Sequence, residues 1–512
     1  MTISAHRSRL IWSPLAGWVV LSCSLCVVYA QSPTQSDADP NATTTPSVPA
    51  GGAAPVIVTS GGTSGTQSQP GSLKLPPLTP PPDAPLTAPT VPSASTTIVN
   101  SPFGASVPYY GGISGLSSSS AVGGAARPGD ETGIGLGPFT LTPMLEVSTG
   151  LDSNVFAQGN GQAPTGSMYT TISPSFELKS DWSNHLLHVL ASGAFGYYYS
   201  APTQNYQNYG ILIDGKVDIH HDIWAFGTVG FRRATEALGT PNVAFAKAPT
   251  VVDTLPVEFG FHQEFNNFFY EVKAGATRYW HYDNSVITSQ GLPAQSRDRF
   301  EYSESLRLGY HVNEDVDIFL TPSLQQVRYL EKINSAGQQR DADGSNIGIG
   351  ASWKINEISK LDGEIGLQTR NDPTQGGSTS ALSYGLKGSW TGYAPLTLRP
   401  TILRSINETA LSNYKNYVST TYALDFNYEI HNEWTLAGGL MFQTADYNPA
   451  AGSSVGPRTD FFMRGQIGLL YSIKPEIQIG PFFEYSRGSS TDSTLGPSYD
   501  RQIYSLRLIA KR

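Results

Sequence analysis

Few groupings in this chain have the residue types and spacing that chemistry needs. His220-His221 could ligate a transition metal. Adjacent residues of an extended strand face opposite sides, so the pair reads as surface histidines in a short turn. His281, with Asp283 nearby and Glu304 further along, is the one grouping suited to general acid–base work. An outer-membrane hydrolase needs nucleophile, base and orienting group at one place. The sequence has no Gly-x-Ser-x-Gly elbow, no His-Glu-x-x-His and no Gly-Lys-Ser/Thr phosphate loop. No catalytic residue, cofactor or metal is therefore expected.

The chain offers instead charges at even spacings: Arg299, Glu301 and Arg307, then Lys360, Asp362 and Glu364, then Asp425 and Glu429, then Asp460 and Arg464, with Arg399 and Arg507. Glu177/Lys179, Asp214/Lys216 and Glu271/Lys273 repeat the pattern. A spacing of two puts both members on one face of a strand. Mixed charges on the wall of a wet pore create a transverse field that suits polar solutes, so these residues are candidates to line a pore.

The elements that must position them read as strands. Val418, Thr420, Tyr422, Leu424, Phe426, Tyr428 and Ile430 make one face, and Ser419, Thr421, Ala423, Asp425, Asn427 and Glu429 the other. Phe300, Tyr302, Leu306, Leu308, Tyr310 and Val312 oppose Arg299, Glu301, Ser303, Ser305, Arg307 and His311 in the same way. Over residues 136–512, eight short turns alternate with nine longer loops, which predicts about 18 strands (16–18) with both ends on the short-turn side. Short turns on one side and long loops on the other are the layout of an outer-membrane barrel. Closure follows because hydrocarbon cannot hydrogen-bond a free strand edge. The fold class is thus all-β, an antiparallel transmembrane β-barrel. Trp182, Trp224, Trp353, Trp390 and Trp434 lie in or near short turns, which predicts an aromatic girdle at one membrane boundary.

Composition agrees. Charged residues are 14% of the 512, while aromatics reach 11% with 26 Tyr, and Gly and Pro number 52 and 36. Mean hydropathy is −0.21, which excludes a bundle of membrane helices. A net charge of −9 argues against nucleic acid as a partner. Residues 1–30 resemble an export signal, with His6, Arg7 and Arg9 before an apolar run and Val28-Tyr29-Ala30 before a cleavage point; a membrane anchor is the alternative. Both cysteines, Cys23 and Cys26, fall inside it, so cleavage after Ala30 leaves no disulfide. Residues 31–135 form a Pro/Ser/Gly-rich segment too poor in apolar residues to fold, and it reads as a solvated linker or a periplasmic arm.

The stretches Leu145-Glu146-Val147-Ser148-Thr149-Gly150-Leu151-Asp152-Ser153-Asn154-Val155-Phe156 and Ile172-Ser173-Pro174-Ser175-Phe176-Glu177-Leu178-Lys179-Ser180-Asp181-Trp182-Ser183-Asn184-His185, with residues 206–222, resemble the outer-membrane β-barrel porin type 2 family of proteobacteria. The resemblance implies an outer-membrane barrel and a loose association with exopolysaccharide export, and carries no catalytic residues. The chain departs from many outer-membrane barrels in ending Leu508-Ile509-Ala510-Lys511-Arg512, without the terminal aromatic read by the barrel-assembly machinery. The expected partners are outer-membrane lipid, that machinery, and periplasmic cell-wall or polysaccharide-export components.

The expected function is a porin-like channel for polar solutes, with the N-terminal arm and the C-terminus in the periplasm. The alternatives are a structural barrel without a channel, a surface adhesin, and an outer-membrane hydrolase. Residues 235–253 and 283–296 are the loops long enough to fold inward, with Leu238, Val243 and Phe245 available to pack there.

Overall fold

The computed structural model describes residues 133–512, apart from residue 160 and residues 243–248, 283–293, 334–336, 338, 357, 394, 432 and 493–497. The expected export signal, nearly all of the low-complexity segment, and Val243, Phe245 and Asp283 lie outside the described residues. The strands are β1 (Ile134–Gly135), β2 (Phe139–Asp152), β3 (Ser167–Ser180), β4 (Leu186–Tyr198), β5 (Tyr206–His220), β6 (Ile223–Glu236), β7 (Thr250–Phe265), β8 (Phe268–Tyr282), β9 (Arg299–His311), β10 (Val316–Tyr329), β11 (Ala342–Asn356), β12 (Ser359–Asp372), β13 (Gly377–Tyr393), β14 (Leu396–Asn407), β15 (Tyr414–His431), β16 (Trp434–Pro449), β17 (Arg458–Lys474), β18 (Ile477–Ser490) and β19 (Tyr499–Lys511).

Strands β2 to β19 pair antiparallel in chain order, and β19 pairs back onto β2 from Ile503↔Asp152 to Lys511↔Met144. This is a closed barrel of 18 strands, as the alternation of turns and loops predicts. Two-residue β1 is additional. It pairs Ile134↔Leu141 and Gly135↔Thr140, covering the stretch of β2 that β19 does not reach. The last residues pair without a terminal aromatic, because the ladder uses backbone groups alone.

Following paired residues once around the ring leads back to β2 about 22 residues further along it. Eighteen strands with that stagger tilt by ~40° and enclose a backbone cylinder ~35 Å across. At the closing seam a Cβ on Gly150 would lie 1.9 Å from the Tyr504 carbonyl oxygen, so β2 and β19 approach too closely there for any side chain.

Residues directly opposite in an antiparallel ladder share a face, which lets each face be followed around the ring. The outer face carries Leu145, Ile172, Ile211, Val257, Val272, Leu308, Ile349, Ile365, Leu424, Leu440, Ile467 and Leu506, all large, apolar and exposed. The inner face carries buried polar groups such as Asp214, Lys216, Glu301, Gln368 and Arg464. A water-soluble sandwich would reverse this. Each of β2 to β19 has at least 12 residues, enough for the ~9–11 that cross a bilayer.

Ile467 and Gln466 are neighbours near the middle of β17 and face opposite ways. Ile467→Arg puts a charge in lipid and should destabilise the barrel by about 2–4 kcal/mol. Gln466→Arg should cost less than about 1 kcal/mol, since its charge stays in water. Urea titration of barrels folded in lipid vesicles measures both, and equal losses would contradict the two-faced wall.

Candidate functional site

The site with chemistry is the inner wall and the mouth at the long-loop end. All twelve candidate lining residues lie on the inner face by register, but they fall into two groups. Arg307, Lys360, Asp362, Glu364, Arg399, Asp425, Glu429, Arg464 and Arg507 occupy the body of the wall. Arg307 lies 4.1 Å over the Phe319 ring and Arg507 lies 3.9 Å over Phe482. Lys360 Nζ is 3.6 Å from Asp362, Arg464 Nε is 3.5 Å from Glu484, and Arg399 is directly opposite Asp425. Arg299, Glu301 and Asp460 sit higher and are buried. Arg299 donates to Glu301 at 2.7 Å, and Asp460 accepts two 2.7 Å bonds from Arg458.

The wall between β3 and β8 is a polar network. His188 bridges Glu177 at 3.1 Å and Asp214 at 3.2 Å, and Thr228 Oγ1 donates to Asp214 at 2.8 Å. Lys273 pairs with Glu271 at 3.1 Å and Lys216 with Asp218 at 2.7 Å.

Trp224 belongs to this network and faces inward, unlike a residue of the expected girdle. It stacks on His262 at 3.9 Å, with Lys216 Nζ 4.6 Å from its ring centroid. Nearness to a turn does not say which face a residue takes. Alternation puts Ile223 and Ala225 outward and Trp224 inward. Trp182, Trp353 and Trp434 are exposed, and Trp390 lies on the outer face opposite Leu398.

At the mouth, loops from opposite sides of the ring meet. Strands β6 and β14 are eight places apart among 18, yet their following loops touch. Asn242 Nδ2 donates to the Glu408 carbonyl at 3.1 Å, and the Ala410 N–H donates to Asn242 Oδ1 at 2.7 Å. Asn242 holds a left-handed backbone (φ 66), which asparagine tolerates better than most residues. The Glu408 carboxylate accepts from Arg370 and from the Tyr329 hydroxyl. Arg340, from the loop after β10, donates to the Thr409 carbonyl at 2.6 Å. Arg370 also donates to Asp372, which accepts from Asn416 at 2.7 Å. Ala410 has no exposed surface, so this loop lies inside the mouth.

Burial by itself would raise the Glu408 pKa, but Arg370, Arg299 and Arg340 outweigh it and hold the carboxyl below its usual value. Removing one partner from such a buried set typically costs about 3–5 kcal/mol.

Sequence reasoning missed Glu408, Arg340, Arg370 and Arg458. One signal was present: Arg-x-acid recurs at Arg299/Glu301, Arg370/Asp372 and Arg458/Asp460, each time where a strand meets a long loop. The acid–base triple does not assemble. His281 contacts Asp298, with Nδ1 3.3 Å from Oδ1, while Glu304 is on the outer face opposite Ala274 and Leu324. His220 and His221 are not splayed apart as an extended strand would leave them. The chain turns there, bringing ligand atoms of His220, His221 and Asp222 within 4.8 Å of one another, with His221 already paired to Asp222 at 2.6 Å.

Among solved structures, the chain is similar to OccK3 (OpdO) of Pseudomonas aeruginosa, with 11% identity and a TM-score of 0.36 over 73% of this chain and 95% of that one. A BenF-like porin from Pseudomonas fluorescens Pf-5 gives 11% identity and a TM-score of 0.40, covering 74% of this chain and 100% of that one. The siderophore receptor PirA of Pseudomonas aeruginosa gives 10% identity and a TM-score of 0.34, covering 73% of this chain and 80% of that one. No curated protein matches the sequence. A family model described as "Putative beta-barrel porin 2" matches residues 127–512, and the chain belongs to that family of porin-like outer-membrane barrels.

Proposed function

We propose that this barrel is a passive channel for small polar solutes across the outer membrane of a Gram-negative cell, with the short turns and the C-terminus in the periplasm. The observation that carries the reading is the closed wall with an apolar outer face and a charged inner face. A ring ~35 Å across is too wide for wall side chains to fill, so water and solutes can enter. The mixed signs along the wall favour polar solutes without strong preference for either ion charge. The loops braced on Glu408 narrow the mouth and set an upper size for what passes. The acid–base pairing of His281 with Glu304 lends no support to a hydrolase, since the two face apart.

Full-length protein in a planar bilayer should give discrete conductance steps. A complete absence of conductance would favour a structural barrel, and measured ester or peptide hydrolysis would favour the enzyme. Glu408→Gln weakens the brace while keeping its shape, and should raise single-channel conductance by about twofold or lengthen openings, with Arg370 left short of a partner. The gel shift between heated and unheated samples checks that the variant has folded.

The pH response follows from the same carboxylate. A depressed pKa means the brace is intact at neutral pH and is lost only as pH falls through a value below the usual 4.5. Conductance of the native channel should therefore rise only in that strongly acidic range, and the Glu408→Gln channel should lack that rise. A rise near pH 6 to 7 in both would assign gating to other groups.

A further inference from the structure

In the described strands, five arginines occupy the outer face: Arg233, Arg278, Arg328, Arg404 and Arg487. All lie in the half of the strand nearer the long loops. The half nearer the short turns is almost wholly apolar and aromatic on that face. Four of the five have a protein carboxylate: Arg233 pairs with Asp253 at 2.6 Å, Arg278 with Asp298 at 3.9 Å, Arg328 with Asp343 at 2.5 Å and Arg487 with Asp500 at 4.0 Å.

Arg404 differs. Its Nη1 donates to Thr420 Oγ1 at 2.5 Å, and no carboxylate among the described residues pairs with it. Tyr384 is directly opposite Arg404 in the ladder, and the Tyr384 and Tyr422 hydroxyls lie 3.1 Å apart. One hydroxyl donates to the other, and Tyr384 also hydrogen-bonds Thr420, so the Tyr422 hydroxyl is the one placed to donate outward. Leu382 and Leu424 flank the group and are exposed on the same face. A guanidinium on a lipid-facing surface is costly unless an anion meets it near the headgroups. Its planar fork matches phosphate oxygens two at a time, and a tyrosine hydroxyl adds a third donor.

We propose that Arg404, Tyr384 and Tyr422 form a docking surface for the phosphate of a lipid headgroup in the leaflet around the long-loop ends. The acyl chains would lie along Leu382, Leu424 and the apolar belt. The choice of lipid rests on the orientation proposed above, which puts a phosphorylated glycolipid in that leaflet.

The full chain, purified in mild detergent, would be mixed with diphosphorylated lipid A or its dephosphorylated form, and bound lipid measured by native mass spectrometry. The diphosphorylated form should be retained, and Arg404→Gln should lower its retention about tenfold, the size of a lost charge-assisted bond. Arg233→Gln, whose arginine already has Asp253, should lower it less than about twofold. Equal retention by native protein and Arg404→Gln would overturn the proposal, as would equal retention of the dephosphorylated lipid. Displacement by millimolar inorganic phosphate would reassign the group as a free-anion site and also overturn it. Conductance of Arg404→Gln should match the native channel, which separates this result from any failure of the channel reading. Protease access to the long loops on intact cells tests orientation separately.

Discussion

Hydrocarbon offers no hydrogen bonds to a peptide group, and every other feature of this molecule answers to that constraint. A sheet crossing a bilayer must satisfy each N–H and C=O within itself, so it must close. Closure fixes the partnership of β19 with β2 and calls on β1 to cover the remaining edge. The stagger of the ladders then sets strand tilt and ring width together. Once the ring exists, alternation along every strand assigns half the side chains to lipid and half to the interior.

Closing so many strands creates the opposite difficulty inside. The wall residues cannot reach across to one another, so charges are satisfied locally. His188 sits between two carboxylates, Lys273 beside Glu271, and Arg458 on Asp460. Only the loops are long enough to bridge the opening: half-buried Asn242 and buried Arg340 and Glu408 meet there, and Glu408 is held in turn by buried Arg370 and Tyr329 at the strand ends. The body of the lumen is a wall of paired charges, whereas the mouth is a packed polar knot. On the proposed reading the wall would offer a polar path and the knot would restrict entry.

The barrel itself was legible from the chain because its causes are local. Period-two patterning, the alternation of short and long connections and the paired charges each depend on residues close in sequence. They led to the strand number and to the inner face of residues such as Arg307, Asp362 and Asp425. The misplacement of Trp224 shows the limit of position without register, since one residue decides between lipid and lumen. His220 to Asp222 show that a turn can gather side chains which a strand would separate. The Glu408 knot was not legible because its contacts join loops far apart in the chain, and pairwise patterning carries no information about where a loop folds. The Arg-x-acid spacing at the strand ends marked one side of that knot without naming its partner.

Successive residues of one strand must meet lipid and water in turn, and this can be measured directly. With Cys23 and Cys26 replaced by serine, single cysteines placed along β15 from residue 420 to 428 can be labelled with a fluorophore in the reconstituted barrel. Quenching by brominated lipid and by iodide in water would then be read at each position. Two signals of period two in opposite phase are predicted, with lipid quenching greatest at residues 422, 424, 426 and 428. Signals that rise and fall together, or lipid quenching that is uniform along the strand, would contradict the two-faced barrel.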